Sequence, residues 1–224
     1  YPEWRAEFAK YDAIEYEKMT KKDIFHEGDQ IKMGEAVVML SEKTKGEAVT
    51  VTDVGQHQMI SNRYYRFKKP FSSVTSGGAG TMGFALPAAF GAKVGAPDRE
   101  VVAIIGDGGF QMTIQELGTI AQSGLPVKII ILNNNFLGMV RQWQQLFFDR
   151  RYSFVELQNP DFITIAKGFG IDGHTVSDRS KLSESLDTLL NSDKPYLLEI
   201  ICEKEENVFP MVPAGACVTN VILE

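Results

Sequence analysis

Cysteine is scarce, with 2 in 224 residues. Cys202 and Cys217 need not pair, and Cys202, at the end of an apolar run, reads as a buried small hydrophobe. A reducing cytoplasm is therefore the expected location. No apolar stretch approaches the roughly 20 residues that cross a bilayer, and nothing resembles a signal peptide, so no membrane partner is expected. A basic surplus is missing too. Lys and Arg total 23 against 29 Asp and Glu, a formal charge of −6, which excludes nucleic acid as the main partner. There is no internal repeat, no low-complexity tract, and no G-x-G-x-x-G opening a helix after the first strand. The last absence argues against a dinucleotide-binding module. The chain begins at Tyr1 rather than methionine and is expected to be a piece of something longer.

What is present is ordinary in bulk and specific in pattern. A hydrophobic share of 44% in 224 residues allows one large domain, or one with a small appendage. Two β-branched runs, Val101 to Ile105 and Val127 to Leu132, each end in turn residues. Such runs read as strands of a parallel sheet, where ligands collect at the carboxyl ends. The first delivers Gly106-Asp107-Gly108-Gly109 and the second Asn133-Asn134-Asn135. Asp107 and Asn134 would thus place two hard oxygen donors side by side on one rim. That suits an octahedral Mg²⁺ that also holds a diphosphate. The glycines would let backbone approach phosphate, and the following helix would aim free N–H groups at it.

Other segments fill in the architecture. Ala48 to Thr52 and Tyr196 to Ile201 read as strands; Ile31 to Leu40, Pro160 to Phe169 and Ser180 to Leu190 read as helices. The glycine-rich turn Ser76 to Gly80 should lead into a helix over Thr81 to Gly91, with Pro87 near its first turns. Thr113 and Glu116 have the spacing of a capping box for the helix after Asp107, which Gly124 and Pro126 should stop. Alternating strands and helices predict an α/β fold, a doubly wound and mostly parallel sheet with helices on both faces. Residues 1–30 read as a linker and lead-in helix, with Trp4, Phe8 and Tyr11 able to clip onto the domain; 31–203 form the domain; 204–224 form an arm or lid.

Gly106-Asp107-Gly108, then a strand–helix–strand's worth of chain, then Asn133-Asn134, resembles the signature of enzymes dependent on thiamine diphosphate. The resemblance implies metal ligation by Asp107, Asn134 and the carbonyl of Phe136. Five further segments narrow it: Gly55 to Met59, Thr75 to Gly83, Gly138 to Trp143, Asn159 to Phe162, and Phe209 to Gly215. Together they resemble the C-terminal domain of acetolactate synthase large subunits, over nearly all of the chain from Ile31. Gly108-Gly109 departs slightly, since many of these synthases carry alanine or serine there.

The resemblance implies thiamine diphosphate and Mg²⁺ as cofactors. It gives Gln56 and His57 to the phosphates, and the carbonyl of Gly80 to the aminopyrimidine. Met82 would bend the cofactor, with Gly106, Gly108, Gly109, Met112, Gly138 and Met139 beside it. Trp143, one helical turn past Met139, would shape the acceptor pocket. An apolar pocket separates substrates differing by one methylene by about 1–3 kcal/mol. The reaction implied is decarboxylation of pyruvate and ligation of the two-carbon unit to a second 2-keto acid, pyruvate or 2-ketobutyrate. Arg141, Arg150 and Arg151 read as surface residues.

The family's glutamate that protonates the aminopyrimidine, and its FAD, belong to other domains of the full-length enzyme, and neither fits in this chain. A homodimer or higher oligomer, and a regulatory small subunit, are the implied partners. The isolated chain is expected to be inactive. The alternative is a related pyruvate oxidase, glyoxylate carboligase or 2-keto acid decarboxylase. Such enzymes share the metal motif but should lack Gly138 to Trp143 and the Phe209 to Gly215 tail. A metabolite-binding module or a purely structural domain are the non-enzymatic alternatives.

Overall fold

A computed structural model describes residues 1–224. In chain order the elements are α1 (Pro2–Glu15), a wider turn (Tyr16–Thr20), α2 (Lys21–Ile24), α3 (Met33–Lys43), β1 (Val49–Thr52), α4 (Gln56–Tyr64), β2 (Ser73–Val74), a short 3₁₀ turn (Gly77–Ala79) and α5 (Ala85–Gly95). The second half follows as β3 (Val101–Gly106), α6 (Asp107–Met112), α7 (Glu116–Ser123), β4 (Lys128–Asn133), α8 (Gly138–Phe147), α9 (Phe162–Gly168), β5 (Asp172–Val176), a 3₁₀ turn (Arg179–Lys181), α10 (Leu182–Asn191) and β6 (Tyr196–Ile201).

The strands form one six-stranded parallel sheet in the order β2-β1-β3-β4-β6-β5. A strand turns successive side chains to opposite faces, and the central strands exploit this fully. Val102, Ile104, Ile130, Leu132, Leu198 and Ile200 enter a core covered by α3, α4 and α10. Val101, Ala103, Ile105, Ile129, Ile131 and Leu197 enter another, covered by α5, α6, α7 and α9. Helices thus lie on both faces, as the alternating pattern predicts. Parallel pairing aligns the chain direction, so β3 and β4 deliver their loops to the same edge, with Gly106 opposite Leu132.

Several expectations change. The helix after Asp107 is broken. Thr113 donates its hydroxyl to the Gly83 carbonyl at 2.8 Å and does not form a capping box with Glu116. Thr113 instead closes α6, the residue before α7 is Gln115, which makes no side-chain cap, and α7 starts afresh at Glu116. The helix after the glycine turn begins at Ala85 rather than Thr81, because Gly80 and Gly83 are left-handed. The lead-in helix is present, but Trp4, Phe8 and Tyr11 do not clip onto the domain; they are 70%, 60% and 58% exposed. Only the far end of that helical run is held, through buried Met19 and an Arg63–Glu15 ion pair at 2.6 Å. The tail folds back as a loop closed by Met211 and Ile222, and Glu224 pairs with Lys18 and Lys22.

Candidate functional site

A cavity of about 290 Å³ opens at the carboxyl edge of the sheet. Its walls come from the loop after β1, the turn at Met82, the start of α6, the loop after β4, the first turn of α8 and Met33 of α3. Gln56, His57, Met82, Gly106, Asp107, Gly108, Gly109, Asn134, Phe136, Gly138 and Met139 all line it. Three expected residues do not. Gly80 sits in an exposed left-handed turn whose nearest wall is Val54. Met112 ends α6 and is 57% exposed, while Trp143 packs against Phe147 on the open side of α8. Met33, Val54, Leu137 and Val140 are lining residues that the sequence reading missed. Their apolar type alone marks them as core, so only the fold could have found them.

The three consecutive asparagines have separate tasks. Asn133 accepts from the Asn135 amide at 2.9 Å and donates to Glu199 at 2.7 Å, which fixes the turn. Asn135 takes the left-handed conformation that asparagine tolerates. Between them, Asn134 is turned into the cavity, where its Oδ1 accepts from the Phe136 amide at 3.2 Å and its Nδ2 donates to Gln56 at 3.2 Å.

Asp107 is 2% exposed at the first position of α6. Burial pushes its carboxyl up to about 6, opposed by hydrogen bonds, the largest from Asn159. The Asn159 amide donates to Asp107 Oδ2 at 2.7 Å, to Asn133 at 3.0 Å and to Asn135 at 3.0 Å. One side chain thus ties the two loop tips together. Asn159 opens the segment Asn159 to Phe162, in which the resemblance assigns no role to a single side chain.

The Phe136 carbonyl accepts no backbone hydrogen bond, because its bridge partner Glu156 leaves the pairing to Leu137 and Leu157. Asp107, Asn134 and Phe136, which bring one carboxylate and two neutral oxygens, line the same cavity. No cluster of three His, Cys, Asp or Glu side chains exists. A donor set of low charge and hard oxygens suits a Mg²⁺ that also takes ligands from phosphate, so these residues fit the expected metal and diphosphate.

His57 is wedged in place. Its Nε2 pairs with Asp53, whose other oxygen accepts from the Gly83 amide at 3.0 Å. A Cβ on Gly106 would lie 2.9 Å from His57 Nδ1, so glycine is needed there. Gly108 and Gly109 are not equivalent. A Cβ on Gly108 would meet the flexible ends of Met82 and Leu137 at 3.0 Å, whereas one on Gly109 would fall 2.0 Å from Asp53 Oδ2. A side chain at 109 requires Asp53 to rotate.

Gln56 spends its Nε2 hydrogens inside the protein, on Gln142 at 3.0 Å and the Glu206 carbonyl at 2.8 Å. What it gives the cavity directly is the Asn134 contact. Gly138 makes room for it: a Cβ there would sit 2.1 Å from Gln56 Oε1. Gly138→Ala should therefore displace Gln56 and destabilise the fold by about 1–3 kcal/mol, as overpacking of a buried polar contact does. Urea denaturation measures this, and an unchanged midpoint would contradict the geometry.

Arg141 departs from the expectation. It is fully buried, not a surface residue, and its guanidinium holds the Glu206 carbonyl and Asn207 at 2.5 and 2.7 Å.

A family model described as "Thiamine pyrophosphate enzyme, C-terminal TPP binding domain" matches residues 53–200. The chain is 50% identical over 192 residues to acetolactate synthase isozyme 2 large subunit of Escherichia coli (strain K12), covering 85% of this chain and 35% of that protein. It is 44% identical over 205 residues to acetolactate synthase 1, chloroplastic, of Oryza sativa subsp. japonica, covering 88% and 32%. Among solved structures, the thiamine diphosphate-dependent 4-hydroxybenzoylformate decarboxylase of Rhodococcus jostii RHA1 superposes with a TM-score of 0.74 at 26% identity, covering 81% of this chain and 34% of that one. The chain thus spans about a third of the length of these relatives.

Proposed function

The chain belongs to the thiamine pyrophosphate enzymes, through their C-terminal TPP-binding domain, and we propose that it is the cofactor-binding part of an acetolactate synthase large subunit. The observation that carries this is the meeting of Asp107, Asn134 and Phe136, whose carbonyl accepts no backbone hydrogen bond, on one cavity at the sheet's carboxyl edge. Similarity to acetolactate synthases over most of the chain favours that activity over the related oxidase, carboligase and decarboxylases.

In this reading Asp107, Asn134 and the Phe136 carbonyl hold Mg²⁺. The free N–H groups at the starts of α4 and α6, with His57, face the diphosphate. Met82 and Met139 supply apolar walls, and Trp143, one turn along α8, lies toward the substrate entrance. When bound, thiamine diphosphate supplies the electron sink for decarboxylating pyruvate. The chain's own residues moor it and keep water from one side. Asp53 orients His57, and Asn159 holds the Asp107 carboxylate in place before any cation arrives.

The second substrate is a 2-keto acid, pyruvate or 2-ketobutyrate. The glutamate facing the aminopyrimidine comes from another domain across a homodimer or higher-oligomer interface, FAD from a further domain, and regulation from a small subunit. Residues 31–203 form the cofactor domain, residues 204–224 the arm, and the cytoplasm is the proposed location. No helix is long and apolar enough to cross a membrane.

Two measurements test this. Calorimetry should detect thiamine diphosphate binding that requires Mg²⁺ and no binding of NAD. The chain alone should turn over no pyruvate with both cofactors supplied; sustained acetolactate formation would show that the domain needs no partner for chemistry.

A further inference from the structure

Glu206 lies in the C-terminal arm, is 5% exposed, and takes no part in the chemistry assigned above. Its Oε2 accepts from the Met33 amide at 3.1 Å, and its Oε1 has no partner. Met33 is the first residue of α3, whose own N-cap residue, Lys32, offers no side-chain cap. The free amides of a helix start need an acceptor. Glu206 provides one from 173 residues away.

The same residue's carbonyl accepts from Gln56 Nε2 at 2.8 Å and from Arg141 Nη2 at 2.5 Å. Gln142, also fully buried, exchanges two hydrogen bonds of 2.9 Å with the main chain of Val208. Three residues of the arm therefore join three walls of the cavity: Met33 on α3, Gln56 on α4, and α8.

We propose that Glu206 is a positioning residue, which caps α3 with its side chain and holds Gln56 and Arg141 with its main chain, and so sets the spacing of the cavity walls. This rests on reading the cavity as the cofactor site. The groups around it are Asp23 on α2, Lys32 before α3, Cys202 and Glu203 after β6, and Arg141 on α8. Lys32 is paired with Glu203 at 3.2 Å, and Arg141 spends its guanidinium on neutral acceptors. No ion pair compensates the Glu206 carboxyl, and burial pushes it up to about 8. A protonated carboxyl still presents the carbonyl oxygen that Met33 needs. Glutamine has the same shape and the same acceptor.

The test compares Glu206→Gln with Glu206→Ala in the whole chain, reading hydrogen exchange of the Met33 amide and affinity for thiamine diphosphate with Mg²⁺. Glu206→Ala should speed exchange and weaken the cofactor by about tenfold each, the equivalent of one lost buried hydrogen bond, with Glu206→Gln restoring both. Should Glu206→Ala fail to fold, Glu206→Met, which keeps the length of the side chain but offers no acceptor, takes its place against Glu206→Gln. Wild-type behaviour in the variant without an acceptor, or the same losses in Glu206→Gln, would each overturn the proposal. If no variant binds thiamine diphosphate, it is the cofactor reading that falls, and exchange at Met33 still decides the role of Glu206.

Discussion

Asp107→Asn is expected to lower Mg²⁺-dependent affinity for thiamine diphosphate by a hundredfold or more while leaving the fold intact. Of the three residues proposed to hold the metal, Asp107 alone is anionic; Asn134 and the Phe136 carbonyl are neutral. A hard divalent ion held by so few protein ligands depends on that charge. Loss of a residue that only supports a metal ligand typically costs about 10–100-fold in metal affinity, and loss of a ligand's charge should cost at least as much. Folding should respond in the opposite sense. Burial holds the Asp107 carboxyl at about 6, above its ordinary value, so near neutral pH the empty protein carries a desolvated charge that it would hold better as a neutral group. Asparagine removes that cost and keeps an oxygen for the Asn159 amide. Titration calorimetry and urea denaturation on one preparation separate the two effects. Unchanged affinity in Asp107→Asn would remove the metal site, and with it the reason for assigning the cavity to a diphosphate cofactor.

How much of this could be read beforehand depends on how local the signal was. Strands β3 and β4 announce themselves because both faces are buried, so their sequences are unbroken β-branched runs. Strand β5 does not. Asp172-Gly173-His174-Thr175-Val176 is a polar edge strand in which only Val176 is fully buried, and β2 is only two residues long. Asp107 and Asn134 were legible because each follows such a run directly. Asn159, Asp53 and Glu206 were not legible as positioning residues. Each is a polar residue in an irregular stretch, and its meaning lies in partners such as Asp107, 52 residues before Asn159, or Met33, 173 residues before Glu206. Arg141 misleads for a related reason. A lone cation on an amphipathic helix reads as solvent-facing, and only the arm folded over α8 buries it.

Glu206 carries the other large effect, on stability. In the unfolded chain it titrates as an ordinary glutamate near 4.5; in the fold, burial raises it to about 8. Between those two pH values the folded protein holds a proton that the unfolded chain has released. Raising the pH therefore favours unfolding. The stabilisation is complete below the unfolded value and is lost as pH rises through the folded one. Each pH unit in that window is worth about 1.4 kcal/mol, so the full span amounts to on the order of 3–5 kcal/mol, a large share of a typical domain's stability. Glu206→Gln cannot ionise and should escape this loss. Its urea midpoint should match the wild type near pH 5, exceed it progressively up to about pH 8, and keep a constant lead above that. Asp23, Lys32, Glu203 and Arg141, the charged groups around it, are common to both proteins, so the difference between the two curves isolates this one carboxyl. Curves that stay parallel from pH 5 to 9 would mean that Glu206 ionises at its ordinary value, reached by water, and that the arm does not seal the edge of the cavity.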